Sequence, residues 1–164
     1  MKRIVVILIA LIVAINVNAQ ENSQSEDLNA RIDSLTTKLN QLQHDFDFLD
    51  CRYQIDKLTN DIKGFSTDIE MRSHSISLDR VYLSPLYESR KQLYTSSTTN
   101  LNAMKSYAEQ LKLFLFMKLV TLNFTEKEQE LLKSSMKLLD KAVTSAEASL
   151  DLLKAALDGY KALE

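Results

Sequence analysis

The sequence contains no tryptophan, one cysteine, one proline and two glycines among 164 residues. Each scarcity removes a class of structure. Folds built from many short strands turn often and use glycine and proline to do so, so this composition suits long helices joined by few turns. The single cysteine, Cys51, excludes an internal disulfide and leaves no cysteine pair for a zinc site. There is no Gly-rich phosphate loop, no His-Glu zinc helix and no acidic calcium loop. The sequence therefore assigns no catalytic residue, no metal ligand and no cofactor, and it reads as a non-enzyme.

Long hydrophobic runs are also missing, except at the start. In "MKRIVVILIALIVAINVNA" the basic Lys2 and Arg3 precede an apolar run from Ile4 to Ile15 and a short-residue ending at Ala19. That is the layout of a secretory signal peptide over residues 1–19, with cleavage expected after Ala19. The apolar run is about twelve residues, short of the roughly twenty a spanning helix needs, so an uncleaved anchor is the weaker alternative. The expected location is outside the cytoplasm: periplasm, cell surface or medium. Removing the segment leaves 164 − 19 = 145 residues with 22 acidic and 20 − 2 = 18 basic side chains, a net charge of −4. Nucleic acid and anionic membrane surfaces reward a clustered positive excess, so neither is expected as the main partner.

What is present is heptad periodicity. Leu132, Met136, Leu139, Val143, Ala146, Leu150, Leu153, Leu157 and Tyr160 alternate steps of four and three, a coiled-coil stripe that predicts a helix over 126–162. Thr125 with Glu128 forms a capping box at its start. Ser84 as N-cap and Pro85 at the first helical position predict a second helix over 85–122. There Tyr87, Tyr94, Leu101, Ala108, Leu115 and Leu122 recur every seven residues. A looser second line mixes Met104 and Leu111 with Arg90, Ser97 and Lys118, and the polar "TSSTTN" lowers helix propensity midway.

The first helix carries two stripes. Leu28, Ile32, Leu35, Leu39, Leu42, Phe46, Leu49 and Tyr53 make one; Phe48, Cys51, Ile55, Leu58, Ile62, Phe65, Ile69 and Ile76 make another, with Arg72 interrupting it. A two-residue jump separates them, which rotates the apolar face by about 200°. One partner cannot follow such a jump. A second helix of about 38 residues spans roughly 57 Å and, folding back at residues 78–84, covers the first only to about residues 40–46. The expected architecture is all-α: an antiparallel three-helix bundle over 47–164, with helices near 47–77, 85–122 and 126–162. Residues 20–46 form a helical coiled-coil extension that self-associates through Leu28, Ile32, Leu35, Leu39 and Leu42. Phe46, Phe48, Phe114, Phe116 and Phe124 are expected at one end, Tyr82, Tyr87 and Tyr160 at the other.

Three segments invite a sharper reading. In "QLQHDFDFLDC" His44, Asp47 and Cys51 share one helical face as metal ligands would, but Cys51 equally fits the second stripe as a small buried hydrophobe. An exposed Cys51 would instead be an intermolecular thiol. "RSHSISLDR" supplies Ser73 and His74, yet serine-rich stretches end helices, so a connecting loop is expected. "LKLFLFMKLVTLNF" is the most apolar stretch after residue 19; it is either buried on three sides or, through Phe114, Phe116 and Phe124, a surface that grips lipid or a client's apolar face.

A signal peptide followed by long amphipathic helices resembles, in architecture alone, the OmpH-like periplasmic chaperones and the small exported helical-hairpin adhesins. The chain lacks the chaperones' strand-forming core and strongly basic charge, and no motif is specific to either group. The resulting expectation is an exported, non-enzymatic coiled-coil protein with a structural, scaffolding or protein-interaction role, whose partner is a protein, first of all another copy of itself. The alternative is a chaperone- or adhesin-like helical protein binding lipid, membrane or client through the Phe-rich hairpin end.

Overall fold

The computed structural model describes residues 22–79 and 84–161. The expected signal peptide and Tyr82 lie outside the described residues. Three α-helices follow one another, α1 (Asn22–Leu78), α2 (Ser84–Thr121) and α3 (Glu126–Lys161), and no strand occurs among the described residues. The fold is all-α. The chain divides between Phe46 and Asp47 into two compact units. In the first, the described residues are the N-terminal part of α1. The second holds the rest of α1 together with α2 and α3.

Within the second unit, contacts between helices fix the direction of each. Lys118 Nζ lies 3.3 Å from Asp47 Oδ1, and Arg90 pairs with Asp79, so α2 runs antiparallel to α1. Lys105 pairs with Glu147 and Lys112 with Asp140, so α3 runs antiparallel to α2. Ser66 meets Ser149, and the Phe48 and Phe124 rings stand edge to face at 6.1 Å, so α1 and α3 are parallel. The result is an up-down-up three-helix bundle.

The heptad stripes supply its core. Cys51, Ile55, Leu58, Ile62, Ile69 and Ile76 of α1, Leu101, Ala108, Leu111 and Leu115 of α2, and Leu132, Leu139, Ala146, Leu153, Leu157 and Tyr160 of α3 are all buried. Burying a Leu or Ile side chain is worth about 1.5–3 kcal/mol, so these residues are the main source of the bundle's stability. A further pattern accompanies them. Thr59, Ser66 and Ser73 on α1 are buried at intervals of seven, and so are Ala142 and Ser149 on α3, with Ser135 and Ala156 half-buried on the same line. The Ser66–Ser149 contact sets an offset of 149 − 66 = 83, and the same offset brings Thr59 level with Ala142 and Ser73 level with Ala156. Two lines of small residues thus face each other where α1 and α3 meet.

Ser66 Oγ and Ser149 Oγ are 2.7 Å apart, Ser149 also lies within donating distance of Glu70 Oε1 and the Ser145 carbonyl, and Ser145 Oγ is 3.4 Å from Ser66. Buried hydroxyls need such partners, because a stranded one retains its full desolvation penalty. Thr59 Oγ1 is buried and has none.

Local chemistry explains the helix limits. The Thr125 backbone N–H donates to Glu128 Oε2 at 2.8 Å, and the Glu128 N–H reaches Thr125 Oγ1 at 3.3 Å, the reciprocal capping box. Gln129 Nε2 donates to the Phe124 carbonyl, tying the turn to the helix it precedes. The "TSSTTN" stretch is helical, held by the burial of Ser97 and Leu101, and its outer hydroxyls on Thr95, Ser96, Thr98 and Thr99 are satisfied by carbonyls three or four residues back within α2. The same device corrects the loop expected over "RSHSISLDR": α1 continues to Leu78, with Ser73 Oγ donating to the Ile69 carbonyl and Ser77 Oγ to that of His74. α2 includes Ser84 itself as its first helical residue and ends at Thr121, each one residue earlier than expected.

Candidate functional site

In the first unit the polar side chains of α1 pair along their own helix. Arg31 bridges Asp27, Thr37 donates to the Asp33 carbonyl and Gln41 donates to Asp45. The apolar stripe is left on the surface. Leu28 and Ile32 are half-buried, whereas Leu35 is 57 % exposed, Leu39 38 %, Leu42 66 % and Phe46 49 %. Scattered surface leucines need no explanation, but a run at four-three spacing is a coiled-coil stripe. In the second unit, Leu49 and Tyr53 continue that spacing in the sequence and are exposed as well. Burial there belongs to the second stripe, beginning with half-buried Phe48 and fully buried Cys51.

Cys51 is 1 % exposed, a core residue of the bundle. Burial pushes its thiol pKa up, with Lys118 nearby opposing the shift. Attack on a disulfide or an electrophile requires an accessible thiolate, and this environment withholds both access and charge. The same neighbourhood occupies Asp47, which takes the Lys118 ammonium. Among the described residues, no group of three or more His, Cys, Asp or Glu side chains is placed to hold a metal ion.

The apolar end of the hairpin divides between core and surface. Phe124 is buried against Phe48 and Phe114 is half-buried under the Lys118 ammonium, 5.6 Å from its ring, so of the three phenylalanines only Phe116 is broadly exposed. Leu113, Met117 and Val120, at helical spacing around Phe116, are exposed too. The expected burial on three sides therefore holds for Leu111 and Leu115 but not for their outward neighbours. Beside this face lies an open groove of about 590 Å³ between α2 and α3, floored by Leu113, Phe116, Leu119 and Met136 and edged by Lys133 and Lys137. Lys112 crosses its rim to bind both Glu109 and Asp140. Burial alone would lower that ammonium's pKa, but its hydrogen bonds to the two carboxylates outweigh the penalty and hold it above the ordinary lysine value.

The sequence placed Met136 on the stripe of α3 and marked Phe116, but missed Leu113, Met117 and Val120. Their signal was the density of apolar residues in "LKLFLFMKLV", which exceeds what one buried stripe can absorb. No helix among the described residues is long and apolar enough to cross a membrane. No protein-family model, curated protein or solved structure matches the chain.

Proposed function

We propose that the chain is an exported, non-enzymatic coiled-coil protein with a structural or protein-interaction role, self-associating through Leu28, Ile32, Leu35, Leu39 and Leu42 of α1. One observation carries the reading: a four-three apolar stripe that stays largely solvent-exposed within its own chain. Exposed side chains of this size gain on the order of 1.5 kcal/mol or more each on full burial, and a two-stranded coil buries them at every layer. Export rests on the sequence of residues 1–19, and a mature protein whose mass begins at Gln20 would support it.

Light scattering on residues 20–164, with and without reductant, tests the self-association. An oligomer that persists in reductant and becomes a helical monomer in Leu35→Asp/Leu39→Asp is the expected result. A wild-type monomer at tens of micromolar overturns the reading.

A second reading is favoured by the groove beside Phe116. Its apolar floor, with lysines and carboxylates mixed at the edge, suits an apolar ligand such as a lipid or an exposed client segment. Binding of a fluorescent apolar probe or of liposomes, lost in Leu113→Ser/Phe116→Ser with helicity retained, would favour it. Absence of binding by the native protein would remove it.

A further inference from the structure

We propose that the exposed stripe of α1 pairs with a second copy of the chain in antiparallel orientation, an inference that rests on the self-association reading above. The four-three spacing places Ile32, Leu39 and Phe46 at heptad position a and Leu28, Leu35 and Leu42 at position d. The positions that flank such a stripe are then Arg31, Lys38 and Asp45 at g, and Asn29, Thr36 and Gln43 at e. All the flanking charge of the first unit sits on one side of the stripe, and that side carries both signs.

Orientation decides what those charges meet. In a parallel pair, g of one helix faces e of the other. Arg31 and Lys38 would then meet the neutral Thr36 and Gln43, and Asp45 would meet Asp50 of the second copy, a like-charge contact repeated by symmetry. In an antiparallel pair g faces g and e faces e. Pairing Asp45 with Arg31 of the second copy gives two attractive contacts by symmetry and one Lys38–Lys38 repulsion, a net attraction, whereas pairing Asp45 with Lys38 sets Arg31 against Arg52; the first register is therefore favoured, and the neutral e positions face one another.

The hydrophobic layers agree with the charges. Parallel pairing stacks Phe46 on Phe46 in one a layer, whereas antiparallel pairing sets a against d, so each Phe46 ring faces a leucine of the second copy. A β-branched residue at a with leucine at d favours the parallel dimer, but of the three a positions only Ile32 is β-branched. That preference acts at a single layer, while the charge pattern and the Phe46 layer oppose it.

Charge reversal at Asp45 separates the orientations. The variant Asp45→Lys turns two attractive contacts into repulsive ones in the antiparallel pair, so its dimer dissociation constant at low salt should rise roughly tenfold, with Asp45→Asn between. In a parallel pair the new lysine would face Asp50 and tighten the dimer. Spin labels at Ala30→Cys or Thr37→Cys, each with Cys51→Ala, give an independent readout. Antiparallel pairing makes the label separation at residue 30 exceed that at residue 37 by on the order of 10 Å, whereas parallel pairing makes the two equal. Weaker association of Asp45→Lys with unequal separations supports the proposal; tighter association with equal separations overturns the orientation alone. A wild-type chain that stays monomeric and shows no dipolar coupling overturns the orientation and the self-association together.

Discussion

Replacing Ser149 by alanine strips the α1–α3 contact of the hydroxyl that organises it. Ser149 Oγ stands 2.7 Å from Ser66 Oγ and within reach of Glu70 and the Ser145 carbonyl, with both serines buried. The two serines are not equivalent. Without Ser149, Ser66 retains only the 3.4 Å contact to Ser145 and is close to being a stranded buried hydroxyl. Without Ser66, Ser149 keeps its other two acceptors. A lost hydrogen bond costs about 1 kcal/mol and a stranded partner about 1–3 kcal/mol, while each serine-to-alanine change returns roughly 0.5 kcal/mol of helix propensity.

Ser149→Ala should therefore destabilise the fold by at least about 1.5 kcal/mol and Ser66→Ala by about 0.5 kcal/mol. The double variant should be less destabilised than Ser149→Ala alone, because no hydroxyl is left stranded. Urea unfolding followed by circular dichroism, at one fixed protein concentration so that association contributes equally, measures all four corners. With a slope of about 1–3 kcal/mol per molar urea, the Ser149→Ala midpoint moves by roughly 0.5–1.5 M. Equal, additive losses at the two serines would refute the asymmetry and with it the reading of which hydroxyl holds which.

Thr59→Val, which removes a buried hydroxyl that has no partner while keeping the branched shape, should raise the midpoint of thermal unfolding, by about 1 kcal/mol of stability; a loss would show that the hydroxyl is satisfied in solution. Leu139→Ala, at a fully buried position, should cost about 2–5 kcal/mol in the same urea assay, whereas Leu42→Ala should leave bundle unfolding nearly unchanged while weakening association. Thr125→Ala removes the cap of α3 and should cost about 0.5–2 kcal/mol by the same method. Cys51 should resist a thiol reagent until urea is added. Its raised pKa means that the unfolded chain releases the proton first, so this group's contribution is present below the ordinary thiol value of about 8.5 and declines as pH rises from there toward the folded value. Titration of stability over that range should be flatter in Cys51→Ala.

Local pattern determined much of this protein. The scarcity of glycine and proline, the four-three spacing and the Thr125–Glu128 cap were enough to specify three long helices, and the two-residue jump in α1 located the change of burial between Phe46 and Cys51. These features are legible because helical geometry maps sequence spacing directly onto faces. Tertiary structure alone decided what the faces meet. Ser66 and Ser149 lie off the apolar stripes, and only the parallel approach of α1 and α3 with small residues opposed makes them core. Arg90 and Lys118, polar interruptions of α2 in the sequence, serve the bundle once Asp47 of α1, Asp79 just after it and Tyr160 of α3 are brought beside them. Which phenylalanine at the hairpin end is core and which is surface follows from the same cause: three helices can enclose only part of each other's circumference, so Phe124 is buried and Phe116 is not.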